Sequence, residues 1–300
     1  MMERSRLGKT GLEVSRLGFG GVEIDRGPEV TQAVVDELLN SAIDAGLNLI
    51  DTAAAYGASE ERIGNAIAGR RKQVVLLSKC GALERFARYD WSKKGILETI
   101  QKSLKNLQTD YLDVAQLHSC GLEILKQGEV IEALIIAKER GYTRFAGYSG
   151  DSFDAKYAVE MDFFDTLQTS VNIADQQAIE MTIPTAKERD MGVIAKRPIA
   201  NAVWLNKEKP ENSYHQDYWE RIEKLKYPFL KKSVEGSIAA ALRFTLSVEG
   251  VATAIVGTAK PGRWRENAKY VAEGKLAPEE FEAIRERWHE VADESWAGQV

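Results

Sequence analysis

The sequence predicts a closed (β/α)8 barrel, the TIM-barrel architecture, with all 300 residues in one domain. Two observations carry this. Short β-branched or apolar runs alternate along the chain with longer amphipathic runs, the pattern of parallel strands joined by outer helices. Eight such units are present, and no glycine fingerprint follows the first strand, as an open doubly wound sheet would require.

The elements follow in order. The first strand falls at 16–20 and its helix at 31–45. Strands at 47–51, 74–79 and 114–118 lead to helices at 60–68, 92–107 and 130–140. Strands at 145–148, 166–169, 192–195 and 254–257 complete the eight, with helices at 152–161, 182–189, 236–246 and 262–272. Val74-Val75-Leu76-Leu77 reads as a parallel strand buried on both faces, because it is continuously apolar. Ser92 precedes the periodic run Ile96, Ile100, Leu104, Leu107 and is expected to cap that helix. Gly141 signals a helix end and Ser152 a helix start. No linker or composition break divides the chain; the least regular stretch is 200–232, with an exposed polar loop expected at 207–213 around Pro210.

Composition excludes several classes. Hydrophobic residues at 44% and charged residues at 28% are those of an ordinary globular protein. A net charge of −5 lacks the basic excess of a nucleic-acid grip. No apolar run reaches the roughly 18 residues of a membrane span, and residues 1–6 lack the apolar stretch of a signal peptide. Cys80 and Cys120 are too few for a disulfide framework and fit a reducing compartment, so a cytoplasmic location is expected. Three histidines without i, i+4 pairing argue against a zinc site. The expected partner is a small molecule; the oligomeric state stays open.

A barrel of this kind builds its site at the C-terminal ends of its strands. Asp51, Lys79 and His118 end the second, third and fourth strands, and Tyr56 lies five residues beyond Asp51. Singly, such residues cap a helix or reach water. Together they bring an acid, a cation, an imidazole and a phenol to one rim. A phenol titrates near pH 10, and an ammonium within about 4–6 Å favours the phenolate and lowers that value. Asp51 would hold Lys79 charged, and His118 would hydrogen-bond a substrate carbonyl or relay a proton to Tyr56. The product is a general acid aimed at a carbonyl oxygen.

These residues carry a family resemblance. GLNLIDTAAAYG at 46–57, followed by Ser59-Glu60, resembles the aldo-keto reductase signature. Leu77-Ser78-Lys79 is similar to that family's lysine strand, DYLDVAQLH at 110–118 to its histidine strand, and RLGKTG at 6–11 with LGFG at 17–20 to its N-terminal hairpin and first strand. The match keeps its order through essentially the whole chain. The resemblance implies carbonyl reduction to the alcohol with NADP(H) bound in extended form across the barrel mouth. It assigns Tyr56, Asp51, Lys79 and His118 to catalysis, Tyr56 and His118 also facing substrate. It assigns Ser149 and Gln168 to the nicotinamide carboxamide, with Gly20, Gly21, Asp51, Gly150 and Pro198 alongside. Gly257, Thr258, Lys260, Arg263 and Asn267 would meet the adenosine phosphate. A hydroxyl, a helix start and a planar guanidinium suit phosphate oxygens.

The sequence departs from the family in three places. Gly150 stands where asparagine often follows the carboxamide serine. Lys196-Arg197-Pro198 replaces the Tyr-Ser-Pro whose tyrosine stacks on the nicotinamide. Here Lys196 or Arg197 either meets the pyrophosphate or the ring, or faces solvent. Cys80 and Cys120 lie on neighbouring strands, so they are either a thiol pair near the site or inert buried cysteines. Val22, Trp91 and Trp204 are the expected substrate walls, though any tryptophan can equally pack the outer shell; Trp288 and Trp296 either close over the pocket or pack below it. His215 and His289 lie outside the set. Two rival readings remain: a nicotinamide-binding sensor with little turnover, and a cofactor-free hydrolase or lyase using Asp51 and His118.

Overall fold

The computed structural model describes residues 2–298. Eight parallel strands close into a barrel: β1 Leu17–Gly20, β2 Leu49–Asp51, β3 Val75–Cys80, β4 Leu112–His118, β5 Thr143–Ser149, β6 Thr166–Ser170, β7 Gly192–Lys196 and β8 Val251–Gly257. β8 pairs with β1, so the sheet has no free edge. The outer layer comprises α1 Gln32–Asp44, α2 Ser59–Ile67, α3 Lys93–Asn106, α4 Glu129–Glu139, α5 Ser152–Glu160, α6 Ile183–Glu188, α7 Ser213–Leu225, α8 Val234–Ser247, α9 Arg263–Ala272 and α10 Pro278–Val291.

Local chemistry sets the boundaries. The Ser92 hydroxyl accepts from the Gly95 amide at 3.0 Å and starts α3. Ser233 does the same for α8 through the Gly236 amide. Gly141, at φ +72°, turns the chain after α4 while the Tyr142 amide returns to the Ala137 carbonyl. The start of α5 differs from expectation. Asp151, not Ser152, holds the N-cap position, and the Ser152 hydroxyl instead donates to Gln177 at 2.9 Å. The helix expected at 182–189 is α6, and a further short helix, Gln177–Met181, precedes it with Thr182 between them. Helices α7 and α10 and the small hairpin Ala82–Leu83 with Arg88–Tyr89 were not expected from the sequence.

The strand period of two sorts the barrel interior into layers. Leu49, Leu77, Val114, Ile194 and Ile255 fill the middle of the barrel, together with Leu7 and Val14 of the N-terminal hairpin (Arg4–Arg6 with Glu13–Ser15). The hairpin therefore plugs the floor. Its turn at Gly8, φ +51°, lies against the chain at 190–192, where a Cβ would fall 2.3 Å from the Gly192 nitrogen. The larger apolar cluster lies between the strands and the helices. A second cluster packs α7 and α10 around Tyr218, Tyr227, Trp288 and Trp296, the two tryptophans meeting edge to face at 5.2 Å. Both tryptophans thus pack among helices. Among the described residues no helix is long and apolar enough to cross a membrane.

Leu7 is fully buried in the floor. Leu7→Ala is expected to cost about 2–5 kcal/mol, the range for a buried leucine that leaves a cavity. Urea unfolding would check this; a loss near zero would mean that the hairpin does not seal the barrel.

Candidate active site

The layer above Leu49 and Leu77 is polar. Two residues further along the same inward faces stand Asp51 and Lys79, and their side chains meet at 2.5 Å in a buried ion pair. Lys79 also donates to the Thr52 carbonyl at 3.1 Å. The other Asp51 oxygen accepts from Gln116 at 3.0 Å and Gln168 at 2.9 Å. The carboxylate is thus satisfied by three donors from three strands, which allows a charge pair to stay buried. Gln116 was not singled out in the sequence; its inward parity with His118, two residues on, is the signal that could have found it.

Tyr56 enters from the turn after β2. Its amide bonds the Ala53 carbonyl, and Gly57 takes φ +56° just beyond it. The Lys79 nitrogen lies 5.1 Å from the Tyr56 ring centroid. The His118 ring meets Tyr56 edge-on at 5.5 Å. The four residues read from the sequence therefore share one small volume.

Their protonation follows from burial and charge. Burial alone would pull the Lys79 ammonium down, but Asp51 and the Tyr56 phenol hold it above its ordinary value. His118 is held well below 6.5, first by burial and then by Lys79, Lys196 and Arg197. It is a neutral imidazole whose buried Nδ1 has no partner among the described residues. Tyr56 corrects an expectation: Lys79 does pull the phenol down, yet burial outweighs it and the net shift is upward. The residue is therefore a neutral phenol, a proton donor rather than a phenolate.

A second polar cluster closes the same rim. The Ser149 hydroxyl donates to the Gln168 carbonyl oxygen at 3.2 Å. Asp151 is buried and accepts from the Thr169 hydroxyl and the Ser170 amide at 2.9 and 2.7 Å. Its other oxygen lies 2.8 Å from Lys196 and 3.6 Å from Arg197. Arg197 also donates to Ser170 at 2.7 Å and to the Tyr214 hydroxyl. Neither cation is turned out to solvent. Burial would push the Asp151 carboxyl up, but Lys196 and Arg197 hold it below its ordinary value. Gly298 packs against Asp151 from the C-terminal segment, where a Cβ would fall 2.4 Å from that of Asp151. Asp151 was not singled out in the sequence, where the helix start was read at Ser152 beside it.

Gly150 has a structural reason. A Cβ there would sit 2.6 Å from the Tyr148 ring, whose hydroxyl bonds the Cys120 carbonyl at 2.7 Å. Tyr148 occupies the space an asparagine would need. Gly20 and Gly21 bring β1 close to β2: the Gly21 amide bonds the Asp51 carbonyl, and a Cβ would meet the Ser59 hydroxyl at 2.8 Å. Pro198 is fixed through its carbonyl to Thr245 at 2.9 Å.

Beyond β8, Gly257 is exposed at the rim, with Val22 and Glu23 beside it. The Thr258 hydroxyl accepts from the Lys260 amide at 3.1 Å. Arg263 opens α9, half-buried and 3.1 Å from Glu266; Asn267 is buried one turn on, and Lys260 is exposed. Trp91 lies against Gly81 and stacks on Tyr89 at 6.1 Å. Trp204 donates to Ser237 at 3.1 Å. The aromatic ring in contact with Tyr56 and His118 is instead Phe86, at 6.3 and 4.9 Å. His215 is half-buried and His289 exposed near Glu180. Cys80 and Cys120 are free and buried, and burial pushes both thiols up, Cys120 to about 12. Thiols held protonated in this way are poor nucleophiles. Among the described residues no three His, Cys, Asp or Glu side chains gather as metal ligands.

A closed barrel with a buried acid–lysine pair, a phenol and a neutral imidazole at its C-terminal rim defines an oxidoreductase-type site. A family model described as the aldo/keto reductase family matches residues 16–289, and the chain belongs to that family. An uncharacterized oxidoreductase of Bacillus subtilis, YqkF, is 29% identical over 95% of this chain and 96% of its own. L-galactose dehydrogenase of Arabidopsis thaliana is 27% identical over 91% and 89%. An aldo-keto reductase of Bacillus halodurans, in its holo form, superposes with a TM-score of 0.81 at 27% identity, covering 96% of both chains. One from Klebsiella pneumoniae in complex with NADPH gives 0.74 at 25% identity, covering 95% of both.

Aldo-keto reductases use a nicotinamide cofactor, and the rim has the donors for one. The Ser149 hydroxyl and Gln168 amide form a paired donor–acceptor edge suited to a carboxamide. Lys196, Arg197, Thr258 and Arg263 offer cations and a hydroxyl suited to phosphates.

His118 should remain neutral at pH 6.5, where a free imidazole is half protonated. The linkage sign follows: its share of stability is complete above the unfolded value of 6.5 and is lost as pH falls below it, because the unfolded chain then takes up a proton the folded one refuses. An NMR titration of the imidazole would show this; a midpoint at 6.5 would mean the ring is solvated.

Proposed function

We propose that the chain is an NADPH-dependent reductase of aldehydes or ketones, with Tyr56 as the general acid. The observation that carries this reading is the convergence of Tyr56 on the buried Lys79–Asp51 pair beside a neutral His118. NADPH, when bound, supplies the hydride to the carbonyl carbon. His118, uncharged, orients the carbonyl oxygen by a hydrogen bond and does not compete to protonate it. Tyr56 gives that oxygen its proton. Lys79 stabilises the phenolate left behind, and Asp51 keeps Lys79 charged and aimed.

Ser149 and Gln168 hold the carboxamide, the segment from Gly257 to Asn267 holds the adenosine phosphate, and Arg263 and Lys260 give the preference for a 2′-phosphate. Lys196 and Arg197, tied to Asp151, take the place of the stacking tyrosine. Its flat guanidinium suits Arg197 to a phosphate oxygen or a ring. The protein acts on a small carbonyl compound without nucleic acid or membrane, in the cytoplasm.

Steady-state NADPH consumption with a reactive aldehyde tests the reading. Tyr56→Phe should retain NADPH binding and lose about a hundred- to ten-thousand-fold in turnover, the usual worth of a general acid. Equal turnover by both proteins would remove the role. No turnover by the parent, with tight NADPH binding, would move the reading to a nicotinamide-binding sensor. Arg197→Ala should weaken NADPH about tenfold by fluorescence titration, the scale of one charge-assisted contact. A parent-like dissociation constant would remove Arg197 from the cofactor site.

A further inference from the structure

Three loops meet over Tyr56. The turn bearing it, residues 52–58, lies between the short helix Glu23–Asp25 after β1 and the hairpin Ala82–Leu83 with Arg88–Tyr89 after β3. Asp25 joins them. One of its carboxylate oxygens accepts from the Ala58 amide at 2.9 Å, and the other pairs with Arg85 at the hairpin tip. Gly57 lies beneath that pair: a Cβ there would fall 2.1 Å from the Asp25 oxygen and 2.8 Å from the Arg85 nitrogen.

The next residue in the tip, Phe86, sets its ring edge-to-face on His118 at 4.9 Å and tilted to Tyr56 at 6.3 Å. The residue keeps 43% of its surface exposed. The tip is strained, since Glu84, Arg85 and Phe86 take φ of +49°, +54° and +68° in succession. Left-handed backbone is unfavourable for residues other than glycine, and three in a row persist only where the surroundings impose them. A half-exposed ring gains little from packing, so burial does not explain the strain. The tip is instead held where it gives an apolar face to the two groups that would grip a carbonyl oxygen.

We propose that Phe86 is a specificity-determining wall of the carbonyl site, and that the Arg85–Asp25 pair is the positioning device that holds it there. The substrate class this selects is a carbonyl compound with a flat, apolar substituent on the carbonyl carbon, which can lie along the open face of the ring. The inference rests on the reductase reading for the position of the carbonyl, and its test needs no turnover. Benzaldehyde and propanal are titrated separately into the protein saturated with NADP+, which has no hydride to give.

The parent is expected to bind benzaldehyde about tenfold more tightly than propanal, the scale of one aromatic contact with its burial. Phe86→Ala should abolish that preference by weakening benzaldehyde alone, and Phe86→Tyr should restore it. Arg85→Ala and Asp25→Asn should each weaken benzaldehyde several-fold with propanal unmoved. High salt should weaken benzaldehyde in the parent and leave Arg85→Ala unchanged, because the pair is part-exposed. Equal loss for both aldehydes in Phe86→Ala, or no loss, would overturn the wall. Parent-like selectivity in Arg85→Ala and Asp25→Asn would overturn the positioning role. The two readings fail separately: a parent that prefers benzaldehyde in titration but consumes NADPH with neither aldehyde loses the reductase reading and keeps the wall.

Discussion

The buried Asp51–Lys79 pair is the constraint on which the rim depends. Two charges removed from water are retained only when their remaining hydrogen-bonding capacity is filled, and breaking one such pair by deleting a partner costs about 3–5 kcal/mol. Here Gln116 of β4, Gln168 of β6 and the Thr52 carbonyl complete it. The barrel supplies these groups by strand parity: the inward positions that hold Leu49, Leu77 and Val114 in the middle of the barrel hold Asp51, Lys79 and Gln116 one step higher. The floor beneath the pair is apolar and filled by Leu7 and Val14 of the hairpin. With Lys79 held charged, Tyr56 has a cation at its ring and His118 a reason to stay neutral.

Asp151 organises the opposite side of the rim in another way. It faces two cations, not one, and its own burial is offset by the Thr169 hydroxyl and the Ser170 amide. Arg197 continues the network outward to Ser170 and Tyr214. Lys196 and Arg197 both act on His118, and Arg197 acts on Tyr56 as well. Both clusters act on the imidazole in the same sense. Burial and three cations together hold the His118 imidazole well below its ordinary value.

The eight βα units were legible in the sequence because each has its own periodicity, and some have their own caps, as Ser92 and Gly141 show. Asp51, Tyr56, Lys79 and His118 were legible because strand ends place them by topology alone. What escaped depends on contacts between distant segments. Helices α7 and α10 pack on each other and on the C-terminal segment, and nothing local announces that. Asp151 was not singled out, and only the arrival of Lys196 from another strand makes it a counter-ion. The Tyr56 pKa turned on a balance of burial against charge, and spacing does not reveal burial. Phe86 sits in a tip whose left-handed backbone no local propensity favours.

Gly150 and Tyr148 show how a departure at one residue depends on its neighbour. Read separately, the glycine is a lost hydrogen bond and the tyrosine an ordinary strand residue. In the structure the Tyr148 ring fills the space above residue 150, anchored by its hydroxyl to the Cys120 carbonyl. Packing here is dense enough that a single β-carbon decides the matter. The polar group lost at 150 has its counterpart next door, where Asp151 turns from capping α5 to holding Lys196 and Arg197. The exit of β5 and the end of β7 thus meet at one carboxylate on the rim that carries Asp51, Tyr56, Lys79 and His118.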